Sequence, residues 1–542
     1  MDISANVRRL TQMFIVLFLA LSVGLVYWQV VVAQQVTANI HNERHCLVDN
    51  APIRGRILDR NGVVLAETTK VQGSCGYLRR YTDPSLAGLI GYYVGPSYPA
   101  TGLEATYDDY LSGRVGLTSL DNTINQTLHR PPQGDDIYLT IDERIQAIAN
   151  KHFDDPPVFH QNTFFSNRGS IIITDPHTGG ILAMVSRPSF DPNRMVQTLA
   201  KNDLSYFKQL NQDPDHPLLE RPLQGHYAPG STYKTVTLLA GLDSGHTTLD
   251  QQFDMQHALG PVFFNGQAIG PTGNNIANFT HNFPVTTEYG YSHSDNVIFA
   301  QIGVETGFNT WLDYNKRFYV GQAIPVGQTN PPYDLNVSPS TVMKPAQTTL
   351  AANELAADSY GQGYDFITPM QMSLFDNAIA NGGQLMLPMI VSKVLDSNGN
   401  VIKANSPQSL GPQQISGDTA AKVRQAMYGV LRCGTGRADF AGSLYTSPWG
   451  IIGKTGTAEV NAASNPHAWL ITQAPFDITN PTQLPTLTIV GMKENGGEGG
   501  AEVGPMIGNI YNEIFDQHLV NTWTPSPPRD YGYCFEKGLL QQ

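Results

Sequence analysis

The segment from Met13 to Ala33 reads MFIVLFLALSVGLVYWQVVVA, and no other stretch limits the architecture of the chain so strongly. It is interrupted only by Ser22, Gly24, Gln29 and the amphipathic Tyr27 and Trp28. At about 1.5 Å of rise per residue, about 20 such residues reach across the ~30 Å hydrocarbon core of a bilayer. Arg8 and Arg9 precede the run, and a basic short flank favours the cytoplasmic side. Tyr27 and Trp28 stand toward the far end, where interfacial aromatics lie. The expectation is a single-pass anchor at 13–33 behind a cytoplasmic tail at 1–12, with roughly 500 residues outside. The alternative is a cleaved signal peptide, with Val31-Val32-Ala33 as a small-residue cleavage site, although such apolar regions usually run only ~7–15 residues. No second run of this length occurs, which excludes a multi-pass transporter.

Outside the anchor the chain is acidic. Its 542 residues carry 33 basic and 46 acidic side chains, a net charge of −13, with no long Lys/Arg run. A general nucleic-acid binder is therefore excluded, and an acidic ligand must be recognised by local cations. Cys46, Cys75, Cys433 and Cys534 are too few for a disulfide scaffold and form no C-x-x-C pair, so neither a zinc site nor a thioredoxin-like motif is indicated. In an exported chain they can pair or remain buried thiols, and the sequence does not decide between the two.

Several segments can be read in order. Gln34–Asn50 is a polar, helix-compatible stalk. Ile57–Leu65 holds two short apolar strands around Asn61-Gly62, a strong hairpin signal. A helical stretch is expected around Glu104–Leu111, so that 34–135 reads as a small α+β pedestal or dimerisation-like module. Pro131–Asp136 marks a loop at its end. Asp142 should cap an amphipathic helix running to Lys151. Ser170–Thr174 and Ile181–Ser186 read as an apolar hairpin, and Ile451–Thr457, Ala468–Thr472 and Thr486–Met492 as later strands. Helices are expected at Thr419–Arg432 and Val503–Phe515. Strands early and late around a helical middle predict an α/β or α+β domain at 136–518 whose sheet closes from both ends of the segment. The tail at 519–542, Pro-rich from Thr522 to Arg529, reads as a surface strap or a disordered end.

Three short motifs carry the chemistry. In Ser231-Thr232-Tyr233-Lys234 the spacing puts a hydroxyl and an amine on one face at the start of a helix. A serine hydroxyl is a weak nucleophile and needs a neighbouring base. A lysine can serve when burial or nearby charge keeps its amine partly neutral. In Ser294-Asp295-Asn296 the serine can relay a proton and the amide can hold a substrate carbonyl. In Lys454-Thr455-Gly456-Thr457 a strand leads into a Gly that permits close backbone approach, while Lys454 or the following threonines can hold a carboxylate. The Thr457 N–H can serve as a second oxyanion donor, and an extended peptide can add to such a strand edge. Taken singly, each motif reads more simply as a helix cap or a strand end. Together and in this order they mark an acyl-serine enzyme of the kind found in β-lactamases and penicillin-binding proteins.

The chain resembles a class B penicillin-binding protein, a monofunctional peptidoglycan D,D-transpeptidase. Arg54-Gly55-Arg56 through Gly62, Gly102-Leu103-Glu104, Asp175-Pro176, Arg187–Asn193, Arg221-Pro222, Tyr227-Ala228-Pro229-Gly230, Gly361-Gln362-Gly363, Thr368-Pro369 and Gly434-Thr435-Gly436 are all similar to that family. The resemblance implies the penicillin-recognising fold, a five-stranded sheet flanked by helices. It implies Ser231 as nucleophile toward D-Ala-D-Ala stem peptides, Lys234 as base, Ser294 as proton relay and Asn296 as a holder of substrate. It further implies Lys454, Thr455, Gly456 and Thr457 around the substrate carboxylate, with Asp295 supporting the loop. β-Lactams are the implied covalent inhibitors, a SEDS-type glycan polymerase the implied membrane partner, and no metal or organic cofactor is called for.

The same residues bear on other activities. The interval Gln34–Pro131 is too short for a glycosyltransferase domain and lacks Glu-Asp-x-x-Phe. No Glu-x-x-Leu-Asn follows Asn296 to supply a β-lactamase's deacylating base; Asp334-Leu335-Asn336 is only a faint echo. The short N-terminal tail offers no effector for a β-lactam sensor, and the intact motifs argue against an inactive scaffold. A hydrolysing D,D-carboxypeptidase shares all three motifs and stays open.

Overall fold

The computed structural model describes residues 3–27, 53–70, 77–95, 97–115, 133–159, 162–271, 283–437, 442–460 and 464–540. A helix spans Ile3–Val26 and exposes Met13, Phe14, Val16 and Phe18. No helix among the described residues is long and apolar enough to cross a membrane. The later part of the expected anchor, residues 28–33, and the stalk at 34–50 lie outside the described residues.

The small module forms around a buried ion network. Glu104, in the short helix Gly102–Thr106, is fully buried between Arg54 and Arg79, whose Nε atoms donate to its two oxygens at 2.6 Å each. Burial alone would push this carboxyl up, but Arg79 and Arg54 more than offset it and hold it below the ordinary range. The expected hairpin forms between Ile57–Leu58 and Val64–Lys70, with Gly62 at φ +89° and Asp59 Oδ1 accepting the Asn61 and Val63 amides. Its sheet has six strands, in the order Val401–Ala404, Val391–Leu395, Asp136–Leu139, Ile57–Leu58, Val64–Lys70 and Tyr77–Tyr81. Three of those strands come from beyond residue 135. The two-residue strand Ile57–Leu58 thus has neighbours on both sides: it runs parallel to Asp136–Leu139, which in turn pairs antiparallel with Val391–Leu395.

The larger sheet has five antiparallel strands, in the order Ile452–Ala458, His467–Ala474, Leu487–Lys493, Gly169–Thr174 and Ile181–Arg187. It closes from both ends of the segment, as the apolar runs predicted, and nearly every residue in it is buried. Helices cover both faces. Cross-strand partners Gln473 and Thr488 reach Asp376 and Asn377 of the helix Pro369–Ala380. The next pair along, Thr472 and Ile489, points the other way, where Thr472 meets Tyr511 of the helix Gly499–Asp516. The helix Glu143–His152, capped by Asp142, lies on that second side against Ile181–Arg187, and Gly417–Arg432 packs beside Ile452–Ala458.

The C-terminal tail is a strap. Trp523 Nε1 donates to the Leu484 carbonyl, the Ser526 amide to Asp477, and the Arg529 amide to Tyr428 Oη. A seven-residue helix, Asp530–Glu536, follows, and Cys534 within it is bonded to Cys433, 101 positions earlier. Cys46 and Cys75 lie outside the described residues.

Candidate active site

Ser231 stands one turn earlier than the spacing suggested. The α-helix begins at Lys234, and Ser231 belongs to a 3-10 turn, Gly230–Tyr233, that leads into it. In a 3-10 turn residues i and i+3 eclipse, so the hydroxyl and amine are brought together more directly than an α-turn would bring them. The turn is fixed from outside. Gly230 has φ +54°, donates its amide to the Gly361 carbonyl, and leaves no room for a Cβ, which would stand 2.5 Å from the Thr457 oxygen.

Lys234 Nζ is the hub. It lies 2.8 Å from Ser231 Oγ, 2.8 Å from the Ser294 carbonyl, 3.1 Å from Ser294 Oγ and 2.6 Å from Asn296 Oδ1. The side chain is fully buried. Burial lowers its pKa from 10.5 to about 7, with the charge of Asp295 opposing. A large share of the amine is therefore neutral near neutrality, as a base for Ser231 requires.

Ser294 sits on a strained turn between the helices Thr287–Ser292 and Asn296–Thr306, and Asn296 is the first residue of the second. Ser294 has φ +62°, uncommon for a residue with a side chain. Asp295 caps the second helix, its Oδ1 accepting the Val297 and Ile298 amides at 2.8 and 3.0 Å, which agrees with a supporting role for this residue. Burial raises its carboxyl to about 7 against those bonds and Lys234.

The third motif lies on the edge strand Ile452–Ala458. Lys454 Nζ points into the wall toward Ser294 Oγ at 3.1 Å, while Thr455 and Thr457 line the cleft itself. Burial, and then the charge of Lys234, holds Lys454 well below the ordinary lysine range. At Gly456 a Cβ would meet Thr232 Cγ2 at 2.8 Å and the Pro229 oxygen at 3.0 Å, so a larger residue would push the nucleophile turn off the strand. The cleft is a cavity of about 770 Å³ that brings Ser231, Ser294, Asn296, Thr455 and Thr457 together.

Contacts distant in sequence complete the wall. Thr435 shares a 2.6 Å hydrogen bond with Thr455 Oγ1, and Gln362 donates to the Thr457 carbonyl at 3.3 Å. Both residues lie in family-like segments, Gly434-Thr435-Gly436 and Gly361-Gln362-Gly363, but nothing local to either segment points to its partner.

Comparison with known proteins agrees with this geometry. The penicillin binding protein transpeptidase domain matches residues 169–514, and the penicillin binding protein A dimerisation domain matches residues 54–137. The chain is 28% identical over 520 residues to the peptidoglycan D,D-transpeptidase PbpA of Mycolicibacterium smegmatis, covering 93% of this chain and 97% of that protein. It is 27% identical over 489 residues to the peptidoglycan D,D-transpeptidase MrdA of Acinetobacter baumannii, covering 86% of this chain and 67% of the relative. The solved structure of penicillin-binding protein A from M. tuberculosis as a ceftriaxone acyl-enzyme complex superposes with a TM-score of 0.72 at 26% identity, covering 86% of this chain and 99% of that one. With the transpeptidase domain accounting for most of its length, the chain belongs to the penicillin-binding protein transpeptidase family.

Proposed function

We propose that the protein is a membrane-anchored serine D,D-transpeptidase that crosslinks peptidoglycan stem peptides ending in D-Ala-D-Ala and is acylated by β-lactams. The observation that carries this reading is the buried Lys234 Nζ, with Ser231 Oγ, Ser294 Oγ and Asn296 Oδ1 all within 3.1 Å. Ser231 Oγ attacks the carbonyl of the penultimate D-alanine as its proton passes to Lys234 Nζ. Collapse of the tetrahedral adduct breaks the peptide bond, and the proton leaves through Ser294 to the amine of the departing D-alanine. An amine of a second stem then attacks the ester, releases Ser231 and forms the crosslink.

Asn296 has its Oδ1 engaged by Lys234, which leaves its Nδ2 hydrogens for a substrate carbonyl. Thr455 and Thr457 face the terminal carboxylate, and that carboxylate supplies the counter-charge that a buried Lys454 ammonium otherwise lacks. The exposed apolar side chains between Leu10 and Leu25 support an anchor, and Arg8 and Arg9 before them favour a cytoplasmic tail and an extracytoplasmic enzyme domain. That placement makes a SEDS-type glycan polymerase a fitting neighbour in the same membrane.

Fluorescent penicillin is expected to label the full chain covalently and Ser231→Ala not at all; equal labelling of that variant refutes the nucleophile. With lipid-linked stem peptides, free D-alanine accompanied by crosslinked dimer supports the transpeptidase. Free D-alanine without dimer makes the enzyme a carboxypeptidase.

A further inference from the structure

The C-terminal strap is fastened at three points to the turn that carries Ser294 and to the elements packed around it. Cys534 is bonded to Cys433, which directly follows the helix Gly417–Arg432 and precedes the cleft-lining Gly434 and Thr435. Tyr533 Oη donates to Glu288 Oε1 in the buried helix Thr287–Ser292. His293 Nε2 lies 2.8 Å from the Leu539 carbonyl, and a carbonyl only accepts, so this nitrogen carries the proton. Leu539 is itself fully buried. A Cβ on Gly429 would meet Ser292 Oγ at 2.4 Å and Leu539 Cδ1 at 3.2 Å, which puts helix, turn and strap in one packed contact. The Thr435 amide also donates to the Ser292 carbonyl at 3.1 Å.

Ser294 needs such support. A side-chain-bearing residue in the left-handed region persists only where its surroundings over-determine it. Its downstream side is fixed by the Asp295 cap and its upstream side by His293 and the strap. A seven-residue helix does not persist alone in water, so it depends on its attachments to the domain, of which the Cys433–Cys534 bond is the covalent one.

We propose that residues 519–540 are a positioning element of the active site. Acting through His293, they hold Ser294 against Lys234, so that both Leu539 and the Cys433–Cys534 bond are needed for full acylation of Ser231. The inference rests on the acyl-serine reading above.

The test uses the full chain, a chain ending at Gly538, His293→Ala, His293→Gln and Cys534→Ser. The readout is the second-order rate of labelling by fluorescent penicillin across neutral pH. Truncation at Gly538 and His293→Ala should each slow acylation about five- to tenfold, the worth of one hydrogen bond expressed as a rate. The acid limb of the profile should also move to higher pH, because a loosened turn admits water to Lys234 and weakens the effect of burial. The groups facing Lys234, namely Ser231, Ser294, Asn296 and the charges of Asp295 and Lys454, are unaltered in these variants. His293→Gln keeps an N–H donor and should recover most of the rate. Cys534→Ser should behave like the truncation; should it fail to fold, the truncation, which retains the disulfide, still decides. Unaltered rate and acid limb in the truncation, even with a lowered melting temperature, overturn the proposal by making the strap a stability element alone. So does a His293→Gln variant as slow as His293→Ala. Absence of labelling in the unaltered chain overturns the acyl-serine reading itself, whereas normal labelling with insensitive variants overturns only the strap.

Discussion

If Lys234 is the base, acylation must follow the fraction of its amine that is neutral. Burial brings its pKa from 10.5 to about 7. An ordinary lysine is about 0.03% neutral at pH 7, whereas this one is about half neutral, a gain of roughly a thousandfold in competent enzyme. The cost of that shift is about 5 kcal/mol of destabilised ammonium. The sign follows from proton linkage. Between about 7 and 10.5 the unfolded chain holds a proton here that the folded chain does not, so this group's contribution to stability rises with pH across that window and is fully unfavourable below it. The labelling rate with fluorescent penicillin should climb about tenfold from pH 6 to pH 8 and then level off. Stopped samples resolved by gel fluorescence give the rate at each pH. Lys234→Arg keeps a cation of similar length but cannot lose its proton, so it should abolish labelling at every pH. A flat profile, a midpoint near 10, or an active Lys234→Arg would refute the assignment of the base.

Three further outcomes follow from the geometry. Gly230→Ala forces a Cβ to 2.5 Å from the Thr457 oxygen at a left-handed backbone, and should lower acylation more than tenfold while destabilising the fold by about 1–3 kcal/mol. Thr435→Val removes the 2.6 Å partner of Thr455 Oγ1 and should raise KM for a carboxylate-bearing substrate about three- to tenfold with kcat nearly unchanged; a fall in kcat alone would contradict the carboxylate role of Thr455. Glu104→Ala leaves Arg54 and Arg79 buried without their shared partner and should cost about 3–5 kcal/mol in urea unfolding, and a loss below 1 kcal/mol would show that the network is relieved by water.

Legibility in the sequence tracked the range of each interaction. The Asn61-Gly62 hairpin and the Asp142 cap each depend on a few neighbouring residues, so a local pattern was enough to find them. The strands Gly169–Thr174 and Leu487–Lys493 were visible as apolar runs, but that they pair across more than 300 positions came only as an inference from class. Ser231 and Lys234 were found by spacing, yet the 3-10 turn that eclipses them is imposed by Gly361 and Thr457 from other parts of the chain. From the sequence, Lys454 or the threonines after it can hold a carboxylate. The inward aim of Lys454 at Ser294 depends on where a separate helical turn places a serine hydroxyl, and no local signal encodes that. The pairing of Thr435 with Thr455, the choice of Cys433 and Cys534, and the three strands that residues beyond 135 lend to the small module's sheet are of the same kind.

That shared sheet has a mechanical consequence. Ile53 bridges to Gln133, and Ile57 and Leu58 run parallel to Ile137 and Tyr138 while their other edge is bonded to Val64–Lys70. A pull applied at residue 53 in the direction of this strand loads it along its length and not across it. Both ladders would then be strained in shear, where several hydrogen bonds resist together instead of opening one at a time. Because Asp136–Leu139 also pairs with Val391–Leu395, tension entering at residue 53 would pass straight into the body that holds the cleft, and the enzyme would stretch as one piece.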